Sequence, residues 1–165
     1  MASLSIILLM SSKKPSLILF ILVATELIGF GLIIPILPQI AQSYESSGPL
    51  LGILLGAYSF CQFIAAPILG HWSDRIGRKK ILVLSKFGSI LSYVILALAP
   101  SYSWLLISRA LDGFTGGNIA VARAYLTDIT PKEKRSQAMA IIGVAFGTGF
   151  ILGPALGGLC YQVAN

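Results

Sequence analysis

An all-α bundle of five membrane-spanning helices is the fold class this sequence predicts, on three observations. Hydrophobic residues make up 56% of the 165 residues and charged residues 11%, whereas a soluble domain carries about a quarter charged. The mean hydropathy is +0.86, and a globule of this size leaves roughly 30% of its chain surface in water, too much to hide that apolar content. The apolar residues also gather into runs about 20 long, the length of helix that crosses a bilayer core about 30 Å thick. A soluble enzyme, a nucleic-acid binder and a disordered tail are all poor fits.

The five runs are, in order, Ser16 to Leu37, Pro49 to Leu69, Ile81 to Ala99, Trp104 to Leu126 and Ala138 to Val163. None alternates apolar and polar residues as barrel strands do. Backbone in lipid must satisfy its own hydrogen bonds, so each run is expected to be helical. Residues 1–12 form a short apolar start followed by Lys13 and Lys14. A secretory signal has its charges before the apolar core, so this start reads as a frayed or interfacial leader. The connections Gln39 to Gly48, Trp72 to Lys80, Pro100 to Ser103 and Thr127 to Gln137 are short, and one domain covers residues 1–165.

Charge orients the bundle. The N-terminus and the second and fourth connections hold Lys13, Lys14, Arg75, Arg78, Lys79, Lys80, Lys132, Lys134 and Arg135, nine of the 12 basic residues, and the opposite connections hold only Glu45. Excess lysine and arginine marks the cytoplasmic side. The N-terminus is therefore expected in the cytoplasm of a cell whose plasma or inner membrane holds the chain, with Asn165 on the far side. The net charge of +6 then reflects topology, and Arg78-Lys79-Lys80 is read as topogenic rather than as a nucleic-acid patch.

The remaining charges lie within spans. Lys86 is six residues beyond Lys80, roughly 9 Å along a helix, and is expected to snorkel to the inner headgroups. For Arg123, five residues before Asp128, snorkelling and a deeper role stay open. Glu26 lies near the middle of span one, ten residues from Ser16 and eleven from Leu37. A carboxylate there reaches neither interface, so it must face a polar cavity, pair with a cation or take up a proton. Burial disfavours its charged form, which suits a group that gains and loses protons. Arg109 and Asp112 are three apart, share a helix face and can pair.

Glycines recur every fourth position, at Gly48, Gly52 and Gly56, at Gly143 and Gly147, and at Gly149, Gly153 and Gly157, with Gly113, Gly116 and Gly117 in span four. Small residues at that spacing let helix backbones approach closely. Gly153-Pro154 adds a bend, since proline removes a helix hydrogen bond. Cys61 and Cys160 stand alone in apolar runs without metal-ligand or disulfide spacing. No nucleophile, metal or cofactor constellation appears, and His71 reads as a loop residue without a chemical role.

Four motifs together resemble the major facilitator superfamily. Gly70-His71-Trp72-Ser73-Asp74-Arg75-Ile76-Gly77-Arg78-Lys79-Lys80 is similar to its signature between helices two and three. Arg109-Ala110-Leu111-Asp112-Gly113 resembles its helix-four motif, although Asp112 stands where the family often has an uncharged polar residue. Gly149-x-x-x-Gly153-Pro154-x-x-Gly157-Gly158 resembles the helix-five motif of the drug:proton antiporter branch, with Ala140 where a further glycine is usual. Glu26-x-x-Gly29-x-Gly31, Pro35 and Pro38 are similar to helix one of tetracycline-type exporters.

The resemblance implies the N-terminal part of a larger transporter that needs a C-terminal half. It would exchange protons for amphipathic drugs by alternating access, and a cavity with the mid-depth carboxylate of Glu26 suggests cationic ones among them. It implies that Glu26, Arg109 and Asp112 serve proton coupling and the substrate cavity, and that Asp74, Arg78 and Asp128 form a gating charge cluster. Gly149, Gly153, Pro154, Gly157 and Gly158 would form a helix-packing motif. A sugar or metabolite symporter, and a truncated or split chain without transport of its own, are the alternative readings.

Overall fold

Glycine and proline set the ends of the helices in the computed structural model, which describes the backbone of residues 2–42 and 48–164 and the side chains of residues 17–40 and 48–159. The side chains of Lys13, Lys14 and Cys160, and the whole of Glu45, lie outside the described residues. α1 runs from Ala2 to Gln42, α2 from Gly48 to Ile76, α3 from Arg78 to Ala97, α4 from Tyr102 to Gly116, α5 from Asn118 to Asp128 and α6 from Arg135 to Ala164. The expected five-span, all-α architecture is present, and among the described residues there is no strand.

Three boundaries differ from expectation. The leader is not a separate segment, because its backbone continues into span one as a single helix from Ala2. The expected second connection shrinks to one residue. Trp72 to Ile76 remain helical, since nothing in their side chains opposes a helix, and only Gly77 leaves it, at φ 107°. That left-handed conformation favours glycine. The Gly77 amide still donates to the Ser73 carbonyl at 3.0 Å, closing α2. Span four is broken in two at Gly117, leaving 15- and 11-residue helices. Together these rise roughly 40 Å, but neither alone has the length to span. Among the described residues four helices, in α1, α2, α3 and α6, are each long and apolar enough to cross a membrane.

α1 lies along α6, α4 packs between α2 and α3, and α5 continues onto α2 and α3. Two apolar clusters hold the bundle. One joins Leu19, Val23 and Leu27 to Leu69, Ile81, Val121, Leu126 and Ile142. The other joins Ile33 and Leu37 to Leu54 and Leu105. Along α3 and α4 the buried polar side chains Ser85, Ser89, Ser92, Ser108, Arg109, Asp112 and Thr115 fall between the two clusters. The outer faces are apolar and bare, with Phe63 79% exposed and Leu98 75% exposed. Hydrocarbon suits such a surface, since water-soluble monomers rarely carry large contiguous apolar patches.

Candidate functional site

The polar layer is built from α1, α3 and α4. Glu26 projects from α1 with 3% exposure, and the Lys86 ammonium of α3 reaches its Oε2 at 2.5 Å. Its other oxygen, Oε1, accepts from Ser89 Oγ at 2.9 Å. Lys86 therefore does not snorkel to the headgroups as expected. Its depth along α3 matches that of Glu26 along α1, and attraction between opposite charges at contact is far stronger in a dehydrated layer than in water. The Lys86 side chain keeps 25% of its surface exposed, so the pair is open on one side.

From Glu26 the contacts continue inward. Ser89 Oγ is 3.1 Å from Thr115 Oγ1. Ser92 Oγ lies 2.7 Å from the Ser89 carbonyl oxygen and 3.2 Å from Asp112 Oδ1, with one proton for the two acceptors. Asp112 Oδ2 accepts from Arg109 at 3.1 Å, the pair anticipated from the i, i+3 spacing, and these side chains are 1% and 2% exposed. Arg109 Nε and both polar atoms of the Asn118 amide are buried without a hydrogen-bond partner. Such atoms are expensive to leave unpaired, and they mark the middle of span four as polar beyond its own needs. Ser89, Ser92, Ser108 and Thr115 were not singled out from the sequence, and Lys86 was read only as a snorkelling cation. A signal existed for three positions, since Ser85, Ser89 and Ser92 recur at helical spacing in an apolar run and so share one face.

At the end of the bundle where α2 meets α3, Arg78 gathers the second group. It contacts Asp74 at 2.6 Å and Asp128 at 3.0 Å, and donates to Ser73 Oγ at 2.7 Å. Ser73 Oγ donates in turn to the Gly70 carbonyl at 2.6 Å. The structure thus brings Asp74, Arg78 and Asp128 together. The left-handed Gly77 makes this possible, because it turns α3 back beside α2 with no intervening loop.

The glycine rows divide by helix. Positions 149, 153 and 157 of α6 lie on α1, where an added Cβ would meet Leu27, Gly31 and Leu32 respectively. Gly113, Gly116 and Gly117 likewise receive Tyr58 and Ala65–Ala66 of α2. Gly48, Gly52, Gly56, Gly143, Gly147 and Gly158 have no described atom within 4 Å of such a Cβ. Close backbone approach therefore holds for Gly149, Gly153 and Gly157 of α6 and for the span-four glycines, while the α2 row, Gly143, Gly147 and Gly158 have no such contact among the described residues.

A cavity of about 330 Å³ opens between α1, α2, α5 and α6, lined by Phe30, Tyr58, Gln62, Arg123, Phe146 and Phe150 among others. A neighbouring cavity of about 200 Å³ shares Phe30, Tyr58 and Ser59 with it and reaches Arg109. A third, of about 480 Å³, lies between α1 and α3 near Gly29 and Tyr93. None of the three is lined by Glu26 or Asp112.

Residues 19–165 match the family model of the Major Facilitator Superfamily. The tetracycline resistance protein, class H, of Pasteurella multocida is 39% identical over 155 residues, covering 92% of this chain and 39% of that protein. The multidrug resistance protein 2 of Bacillus subtilis (strain 168) is 40% identical over 132 residues, 79% of this chain and 33% of that protein. The crystal structure of the human organic anion transporter MFSD10 (TETRAN) superimposes with a TM-score of 0.80 at 31% identity, covering 89% of this chain and 41% of that one. The chain spans about two fifths of the length of the relatives it matches.

Proposed function

Since this chain belongs to the Major Facilitator Superfamily and is an integral membrane protein, we propose that it forms part of the first bundle of a proton-coupled exporter of amphipathic, drug-sized molecules. The observation that carries this reading is the dehydrated chain Lys86–Glu26–Ser89, then Ser92–Asp112–Arg109, which ties α1, α3 and α4 together at mid-depth. The tetracycline and multidrug resistance proteins among its relatives support a drug-sized substrate.

In this reading a proton arriving on Glu26 neutralises the carboxylate and releases Lys86 from its contact. Ser89 and Ser92 carry one proton each and face acceptors on both sides. When Ser92 turns its proton to the Ser89 carbonyl, its oxygen is free to accept from a protonated Asp112. When it turns back, it donates to the ionised Asp112. Hydroxyl rotation thus lets either carboxylate hold a proton without leaving a buried donor unpaired. Each protonation state favours a different packing of α1 against α3 and α4, and substrate biases the same equilibrium, which is what coupling requires.

The Asp74–Arg78–Asp128 cluster serves as an inner latch on the cytoplasmic side, an orientation that the excess of basic residues at that end supports. α6, which carries Pro154 within it, moves with α1 because their glycine backbones are in contact. Alternating access needs a second bundle facing this one, which the longer relatives have room for.

The test is proton-driven efflux in inverted vesicles holding the whole transporter with Glu26→Gln. The amide keeps the shape and cannot exchange a proton. Drug accumulation driven by a pH gradient is expected to vanish while gradient-independent exchange of substrate persists. Gradient-driven accumulation equal to that of the unaltered protein removes Glu26 from the mechanism.

A further inference from the structure

We infer that the cavity between α1, α2, α5 and α6 binds aromatic organic anions, seating the ring among Phe30, Phe146 and Phe150 and the acidic group on Arg123. This rests on the proposed role as an exporter of drug-sized molecules and adds to it a binding cavity and a charge preference. A mid-depth carboxylate in span one suggested cationic substrates, but Glu26 does not line this cavity. It is held by Lys86. Asp112 is held by Arg109, and Asp74 and Asp128 by Arg78.

Among the described residues Arg123 has no carboxylate partner. Its guanidinium carbon sits 5.7 Å from the centroid of the Phe146 ring. A guanidinium lying over a ring keeps its N–H edge free for a planar carboxylate or sulfonate. The positive charge is therefore positioned by an aromatic wall without being neutralised. Phe30 stacks on Tyr58 with centroids 4.6 Å apart, and Phe150 meets Phe30 edge-on at 6.4 Å. These rings give the cavity flat apolar surfaces for an aromatic guest.

Two further donors face the same space. Tyr58 Oη accepts from Gln62 at 3.2 Å, which leaves its own proton to give. Arg109, whose Nε is buried and unpartnered, is among the residues lining the adjoining cavity that shares Phe30 and Tyr58. Of the two described cations around these rings, Arg109 is held by Asp112 and Arg123 by no described carboxylate. A cation entering here would meet an uncompensated like charge.

The probes are dansylglycine and dansylcadaverine, which share a two-ring fluorophore of a size suited to about 330 Å³ and differ in the sign of the tail. Binding is read by fluorescence to the purified transporter in phosphatidylcholine nanodiscs, against empty discs. Dansylglycine is expected to bind at least tenfold more tightly. Arg123→Gln is expected to weaken it about tenfold, the size of a charge-assisted contact, without weakening dansylcadaverine. Equal affinity for the two probes, or a dansylglycine affinity untouched by Arg123→Gln, overturns the inference.

If that variant does not fold, competition on the unaltered protein decides. Displacement of dansylglycine by naphthalene-2-sulfonate but not by 2-naphthylethylamine supports the anion site, and equal displacement by both refutes it. No proton gradient enters these measurements. A failed coupling experiment at Glu26 therefore leaves them standing, and an anion preference that fails leaves proton coupling untouched.

Discussion

Glu26 and Lys86 form an ion pair across two helices, and the energetics of such a pair lie in what happens when one member is removed. Both charges leave water when the bundle closes, so the pair contributes little net stability, but a lone carboxylate at 3% exposure is severely penalised. Lys86→Met is expected to destabilise the protein by about 3 kcal/mol, the lower end for a broken buried pair because the lysine is partly exposed. Thermal unfolding in detergent reads this loss. Combining Lys86→Met with Glu26→Gln is expected to restore most of it. A double variant as unstable as the single would show that Lys86 acts through packing of its stem. Depth along a single helix was legible in the sequence, so Glu26 stood out and the Arg109–Asp112 pair followed from spacing. The partner of Glu26 was not legible. Pairing across helices depends on how α1 and α3 are staggered, and no periodicity within either one contains that stagger.

At the scale of elements, glycine has three separate jobs here. In α6 it brings a backbone onto α1, in α4 it receives α2, and at Gly77 it supplies a left-handed residue that joins α2 to α3. Gly153→Val tests the first. Its Cβ would press on the Gly31 backbone, which cannot rotate away as a side chain can. A loss of about 1–3 kcal/mol is expected from overpacking, read as a lower unfolding temperature, with Gly158→Val on the same helix near neutral. Similar losses in both variants would mean that flexibility of α6, rather than contact with α1, sets the effect.

The spacing of four has a packing partner at Gly149, Gly153 and Gly157 and none among the described residues for the α2 row or for Gly143 and Gly147, because the pattern names a face and not its neighbour. The second connection was misplaced for a related reason. Polarity from Trp72 to Lys80 announced an interface with water, and a helix crosses an interface without unwinding. Only Gly77 carried information about the turn.

For the whole molecule, two apolar clusters enclose a polar layer, and the Asp74–Arg78–Asp128 charge cluster sits at one end. Composition sufficed to place the chain in a membrane, because the apolar content exceeds what any soluble surface can hide. It could not show that the charge lining the cavity between α1, α2, α5 and α6 is Arg123. That outcome depends on the carboxylates being paired elsewhere, a property of the assembled bundle. In the proposed mechanism, substrate and proton bias one equilibrium through Glu26. The direct measurement is proton release on substrate binding, followed with a pH-indicator dye in weakly buffered detergent solution of the whole transporter. The unaltered protein is expected to release protons when substrate is added and Glu26→Gln to release none while still binding it; equal release from both would contradict the account.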